Sequence, residues 1–163
     1  MRGILLLATL ICATPHVADA QSRSRHWAWC RGENPVRLLR GCTALINSGR
    51  ETPGDLARAY FNRGRGLSDS GQYDRAIQNL DQAIWLDPDY PDAFNSRAIA
   101  REGKGEYDQA IRDFDQAVLL DPNFAIALYN RALAFQATGQ PEKAKVDFAR
   151  AREAGPRLTE AKE

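Results

Sequence analysis

Few side chains in this 163-residue chain can do covalent or acid–base chemistry. Histidine occurs only at positions 16 and 26, and cysteine only at 12, 30 and 42. A nucleophile needs a base beside it, and a general acid needs a tuned environment. Neither a Ser/His/Asp nor a Cys/His arrangement can be assembled around anything but His26. Cys30 and Cys42 are too far apart for a C-x-x-C redox pair, and a zinc site would lack further ligands. No phosphate-binding glycine loop is present. The sequence therefore points away from catalysis and implies no cofactor and no metal. Its remaining chemistry is that of recognition: asparagines at 62, 95 and 130, whose amides both donate and accept, and arginines at 63, 97 and 131.

Those arginines are 34 residues apart, and the interval is general. Residues 57–90, 91–124 and 125–158 align without a gap. Pro88, Pro122 and Pro156 share a column, as do Gly71, Gly105 and Gly139, Ala76, Ala110 and Ala144, and Ala83, Ala117 and Ala151. Self-similarity at such a period marks a repeat array.

Each unit predicts two helices around its central glycine, over 59–68 and Tyr73–Leu86 in the first. Large apolar residues recur at position four (Tyr60, Phe94, Leu128) and position twenty-four (Leu80, Phe114, Phe148). Small residues hold position eight (Gly64, Ala98, Ala132) and positions twenty and twenty-seven. Helical spacing gathers them on one face, where small residues let antiparallel helices approach and large ones fill the seams. The glycine suits a left-handed helix exit. Asp87-Pro88 and Asp121-Pro122 end the second helices, because a residue before proline is pushed out of the helical region.

In this form the units resemble tetratricopeptide repeats. The text Asn62-Arg63-Gly64, then Gly71-Gln72-Tyr73-Asp74 through Asp87-Pro88, recurs from Ser96-Arg97-Ala98 to Asp121-Pro122. The third unit departs from it, with Pro141 in place of the tyrosine and Gly155-Pro156 in place of Asp-Pro. The resemblance implies an all-α, right-handed superhelical solenoid of antiparallel helix pairs.

Extended backwards, the register puts Cys30 on position eight and Cys42 on position twenty, the columns where such a hairpin brings its helices closest. We read residues 21–52 as a degenerate fourth hairpin in which Cys30 and Cys42 are bridged, with free thiols as the alternative. Thr52-Pro53-Gly54-Asp55 reads as a helix start, so this hairpin is expected to stack on the first full unit, within an array spanning 53–158. Trp27 and Trp29 are expected to shield its core.

Residues 1–20 read as a secretory signal peptide: Arg2, an apolar run over 4–13, and Ala18-Asp19-Ala20 before a cut at Gln21. About 10 apolar residues fall short of the roughly 20 that span a bilayer, and Ile11 stands before Cys12 where a lipobox needs a small residue. Export would supply the oxidising compartment a disulfide needs, making the protein periplasmic or secreted. Losing Arg2 and Asp19 leaves the net charge at +1, so nothing electrostatic favours nucleic acid or an anionic membrane as partner. Positions twenty-one and twenty-eight are apolar in the first two units (Ile77, Ile111; Ile84, Val118) but Lys145 and Arg152 in the third. A terminal repeat needs such a polar face, so the third unit is expected to close the array, leaving 159–163 as a tail.

The resemblance places recognition on the inner face of the first helices. There it aligns Arg58, Phe61, Asn62 and Arg65; Asp92, Asn95, Ser96 and Ile99; and Ile126, Tyr129, Asn130 and Leu133, with Ser68, Asp69, Glu102 and Gln136 at the far end. The amides would hold a peptide backbone, and Phe61, Tyr129 and Leu133 apolar side chains. The family's clamp for C-terminal carboxylates has Phe61, Ser96 and Ile126 at three of its positions here, which argues against a chaperone-tail receptor. The expected function is that of a monomeric adaptor for a protein or peptide. The alternative is a structural subunit that works through its outer surface near Trp85. Arg63, Arg97 and Arg131 are read as structural, pairing with Asp81 and Asp115.

Overall fold

The computed structural model describes residues 15–155, so the apolar run over 4–13, Cys12 and the tail at 159–163 lie outside the described residues. Among the described residues eight helices follow one another: α1 (Pro15–Cys30), α2 (Pro35–Ser48), α3 (Pro53–Asp69), α4 (Tyr73–Leu86), α5 (Pro91–Gly103), α6 (Tyr107–Leu120), α7 (Ala125–Ala137) and α8 (Pro141–Ala154). They pair as α1/α2, α3/α4, α5/α6 and α7/α8, each pair stacking on the next to build a solenoid.

The ends of the helices follow from local chemistry. Thr52 caps α3 by accepting from the Asp55 amide at 3.1 Å, and Asn34 caps α2 by accepting from the Arg37 amide at 3.0 Å. Proline occupies the first turn of both. At the exit of α3, Gly71 has φ 72°, its amide donates to the Ser68 carbonyl at 2.9 Å, and the Gln72 amide reaches the Leu67 carbonyl at 2.9 Å. The same pair of bonds closes α5 and α7 around Gly105 and Gly139, the Schellman pattern. Asp87 and Asp121 leave α4 and α6 in extended conformation, each carboxylate accepting from an amide two residues on.

The small-residue columns do what their spacing implies. A Cβ on Gly64 would stand 2.7 Å from Leu80 Cγ, so glycine there sets how closely α3 meets α4. In the first hairpin Cys30 and Cys42 form a disulfide across the same columns, with Cα atoms 4.6 Å apart. Cys30, Leu38, Cys42, Leu45 and Ala59 form a core that joins this hairpin to α3, with Trp27 packed against it. Gly41 lets α1 and α2 touch, since a Cβ there would lie 2.6 Å from the His26 carbonyl oxygen and 2.7 Å from the Trp29 Cβ.

Helix α1 starts at Pro15, ahead of the hairpin read over 21–52, and runs across Ala20–Gln21. Its first turns are held by Ser22 Oγ donating to the Asp19 carbonyl at 2.8 Å and by an Asp19–Arg50 ion pair. The arginine column is richer than expected. Arg97 pairs with Asp81 at 2.6 Å, as the column suggested, and also grips Asp113 of its own unit through Nε and Nη2 at 2.9 and 2.7 Å. Arg131 repeats this with Asp115 at 2.7 Å and Asp147 at 2.6 and 2.8 Å. Burial pulls these two guanidinium groups down, but their carboxylate partners more than offset it, and both end above the ordinary arginine pKa. Each arginine thus ties its own helix pair to the preceding one.

Candidate functional site

The first helices of successive pairs touch directly, α3 with α5 and α5 with α7, and their shared face carries a cleft of about 270 Å³. Helix α3 contributes Phe61, Arg65, Ser68 and Asp69, and α5 contributes Asp92, Asn95, Ser96 and Ile99. Phe124 and Ile126, at the start of α7, close its far side. The surface is of two kinds. Ile99 and Ile126 are exposed apolar side chains, whereas Arg65, Asp69 and Asp92 put charges at the margin and Asn95 and Ser96 form a buried polar floor. Such a mixture suits an amphipathic segment better than a purely apolar or purely ionic ligand.

Fixed contacts shape the walls. Phe61 stacks obliquely on Tyr90 with centroids 5.0 Å apart, and the Arg65 guanidinium lies 5.9 Å over the Phe61 ring. Burial, reinforced by Asp92, pushes the Tyr90 phenol up to about 12 despite Arg58 and Arg65, so it stays a neutral donor. Asn130 Nδ2 donates to Asn95 Oδ1 at 3.2 Å, linking α7 to α5 across the floor. Among the described residues this leaves the Asn95 amide NH₂ and the Asn130 carbonyl without a side-chain partner. At the far end of α5, burial raises the Glu102 carboxyl to about 7.

Seven of the twelve expected groove residues line the cleft: Phe61, Arg65, Asp92, Asn95, Ser96, Ile99 and Ile126. The other five stand apart from it for definite reasons. Tyr129 turns into its own helix pair and meets Phe148 edge-on at 5.4 Å. Asn62 Nδ2 points at Cys30 Sγ, 3.9 Å away, and so serves the seam with the first hairpin. Asn130 reaches the cleft only through Asn95. Arg58 lines depressions beside the α1–α3 and α3–α5 junctions, and Leu133 lies exposed further along α7. The register missed Phe124 and Tyr90. Both are the last residue of their unit, so an aromatic column at position thirty-four was there to be read.

A second depression, of about 220 Å³, lies at the first hairpin among Asp19, Ser22, Arg23, His26, Arg50 and Glu51. Here Glu51, its side chain only 1% exposed, accepts from Arg23 Nε and Nη2 at 2.9 and 2.7 Å and from the Trp27 indole at 3.1 Å. The contact fastens α1 to the loop before α3. No group of three or more metal-binding side chains occurs among the described residues.

Comparison with known proteins bears on this geometry. Family profiles described as TPR repeat match residues 67–105 and 103–139, and one described as Tetratricopeptide repeat matches 126–154. The chain belongs to the tetratricopeptide repeat family. A search of the curated proteins found no match. Among solved structures, this tetratricopeptide repeat protein is similar to the second TPR domain of Spaghetti (RPAP3) bound to the HSP90 peptide SRMEEVD. Identity is 31% and the TM-score 0.59, over 60% of this chain and 91% of that one. The first TPR domain of the same protein, bound to the same peptide, is 28% identical with a TM-score of 0.62, over 63% and 82%. MamA shares the fold over a longer stretch, with a TM-score of 0.72 at 22% identity over 85% of this chain and 79% of that one. Such repeats generally serve as non-catalytic interaction modules.

Proposed function

We propose that this protein is an exported, monomeric, non-catalytic adaptor that holds an extended or helical segment of another protein in the cleft of α3, α5 and α7. The observation that carries the reading is the cleft itself, assembled from three successive repeats with exposed Ile99 and Ile126 beside a polar floor. Peptide binding by the similar RPAP3 domains supports a peptide partner. Phe61, Ser96 and Ile126, at positions the family's carboxylate clamp uses, favour a segment that inserts apolar side chains over an acidic C-terminus. The cystine of Cys30 and Cys42 supports export, and no helix among the described residues is long and apolar enough to cross a membrane.

The test is affinity capture from the native envelope fraction after mild cross-linking, with wild type beside an Arg65→Glu, Ile99→Lys, Ile126→Lys variant of unchanged helicity. A partner held by wild type and lost by the variant supports the cleft. A partner held equally by both overturns it. Mass analysis of the purified protein from its own host tests export, since the reading requires a chain beginning at Gln21. A second reading rests on one observation: Trp85 and Leu119, at equivalent positions of adjacent units, are 75% and 71% exposed. They would serve a permanent subunit contact in an envelope or secretory assembly, and Trp85→Ser with Leu119→Ser would then abolish capture.

A further inference from the structure

The repeat supplies its own control for one residue. Arg97 and Arg131 each meet two carboxylates, one from the same unit and one from the unit before. Arg63 holds the same position in the first unit and meets none. Its Nε donates to Asn79 Oδ1 at 2.7 Å and its Nη1 to Thr43 Oγ1 at 3.2 Å, both neutral acceptors. Asn79 stands where the later units have Asp113 and Asp147. Asn47 stands where they have Asp81 and Asp115, is exposed, and makes no bond to Arg63. The other two rungs show from which side a charge would enter: Asp81 remains 46% exposed while bound to Arg97, so this partner arrives from the solvent face.

We propose that Arg63, with Thr43 and Asn79, is the receiving half of a carboxylate site at the seam of α2, α3 and α4, and that it takes an aspartate or glutamate side chain of a docked protein. The half-buried guanidinium carries its charge where water has been partly removed and no internal anion replaces it. Burial lowers its pKa, Tyr60 opposing and the positive charge of Arg75 adding to the fall, so that the net direction is the reverse of that at Arg97 and Arg131. An incoming carboxylate would approach Nη1, as Asp81 does on Arg97, sharing it with Thr43 Oγ1 and with Nη2 beside it, and Arg75 adds attraction at longer range. None of these residues lines the cleft of α3, α5 and α7, so the site is independent of the groove and would act as a second contact point.

The experiment follows the arginine side-chain Nε–Hε resonances of the ¹⁵N-labelled full chain, its disulfide oxidised, during titration with the blocked peptide acetyl-Gly-Asp-Gly-amide. The same peptide with asparagine is the control, and Arg97 and Arg131 are internal references whose carboxylate positions are already filled. The expected result is a saturable shift of Arg63 with the aspartate peptide only, with a dissociation constant on the order of 10–100 mM, as suits one isolated charge-assisted contact. Arg97 and Arg131 should stay in place. In Asn47→Asp, which restores the carboxylate the later units have, the Arg63 resonance should move towards those of Arg97 and Arg131 and its response to peptide should vanish. The proposal is overturned if Arg63 shifts no more than Arg97, if exposed Arg58 and Arg65 respond equally, if the asparagine peptide acts the same, or if Asn47→Asp binds as wild type does.

Discussion

Asp113 is the most exacting test of how the repeats are joined. Its side chain is 5% exposed, and the carboxylate receives Arg97 through two nitrogens at 2.7 and 2.9 Å and Arg101 at 2.7 Å. Asp113→Ala leaves two guanidinium groups facing a buried space with no anion, and breaking a buried pair from one side costs about 3–5 kcal/mol. Arg97 keeps Asp81, and Arg101 can turn partly to solvent, so the expected loss lies near the lower figure, about 3 kcal/mol. Asp81→Ala removes the other, half-exposed carboxylate from the same arginine and should cost no more than about 1 kcal/mol. Asp113→Asn copies the first unit's Asn79. It keeps one acceptor and should fall between them, at about 1–2 kcal/mol. Urea unfolding followed by circular dichroism at 222 nm measures all three, with the midpoint and slope fitted separately because an array of repeats can depart from two-state behaviour. Equal losses for Asp113→Ala and Asp81→Ala would show that burial of the carboxylate does not govern the strength of the rung.

Two further outcomes follow from other parts of the molecule. Glu102 has its carboxyl raised to about 7 by burial, so the folded state binds its proton more tightly than the unfolded state does. That contribution is full below about 4.5 and is lost as the pH rises through 7. Glu102→Gln should therefore gain on wild type by about 1–2 kcal/mol between pH 4.5 and pH 8, a value reduced for the side chain's partial contact with water; a flat difference across that range would refute the assignment. Replacing both Cys30 and Cys42 by serine should cost about 3 kcal/mol, from the loop that the cystine closes in the unfolded chain, and the loss should appear in Trp27 and Trp29 fluorescence before it appears in total helicity. Simultaneous loss of both signals would mean that the first hairpin is not a separable unit.

What could be read from the sequence is what the repeat made periodic. Gly71, Gly105 and Gly139 announced their turns, Gly64 and Ala98 the close helix contacts, and the register carried Cys30 and Cys42 onto facing columns although nothing around them resembles a full unit. The cleft was legible where a side chain's direction follows from helix position alone, as for Phe61, Ile99 and Ile126. It was not legible where a second helix decides. Tyr129 has a groove position, but Phe148 offers its ring a better contact. The column of Asp113 and Asp147 reads as solvated acid until packing shows it enclosed, since Arg97 and Arg131 each have an aspartate 16 residues away in either direction and the two are equally good partners on paper. The grip of Arg23 and Trp27 on Glu51 leaves no periodic trace at all, because it ties a helix to a loop that occurs once.

The unequal rungs have a consequence for how the array comes apart. Its first hairpin is closed by a covalent bond and meets the next unit through Arg63, held by neutral groups, and through Arg23, paired with Glu51 and Asp55, whereas the two later seams are clasped by ion pairs without a cystine. The molecule is therefore a chain with two kinds of fastener, of which the covalent one belongs to the amino-terminal hairpin alone among the described residues. A reductant acts on the amino-terminal hairpin and leaves the later seams clasped. Strong acid discharges the carboxylates that grip Arg97 and Arg131 and leaves the cystine in place. The solenoid thus answers to a reductant at one end only and to acid at every seam.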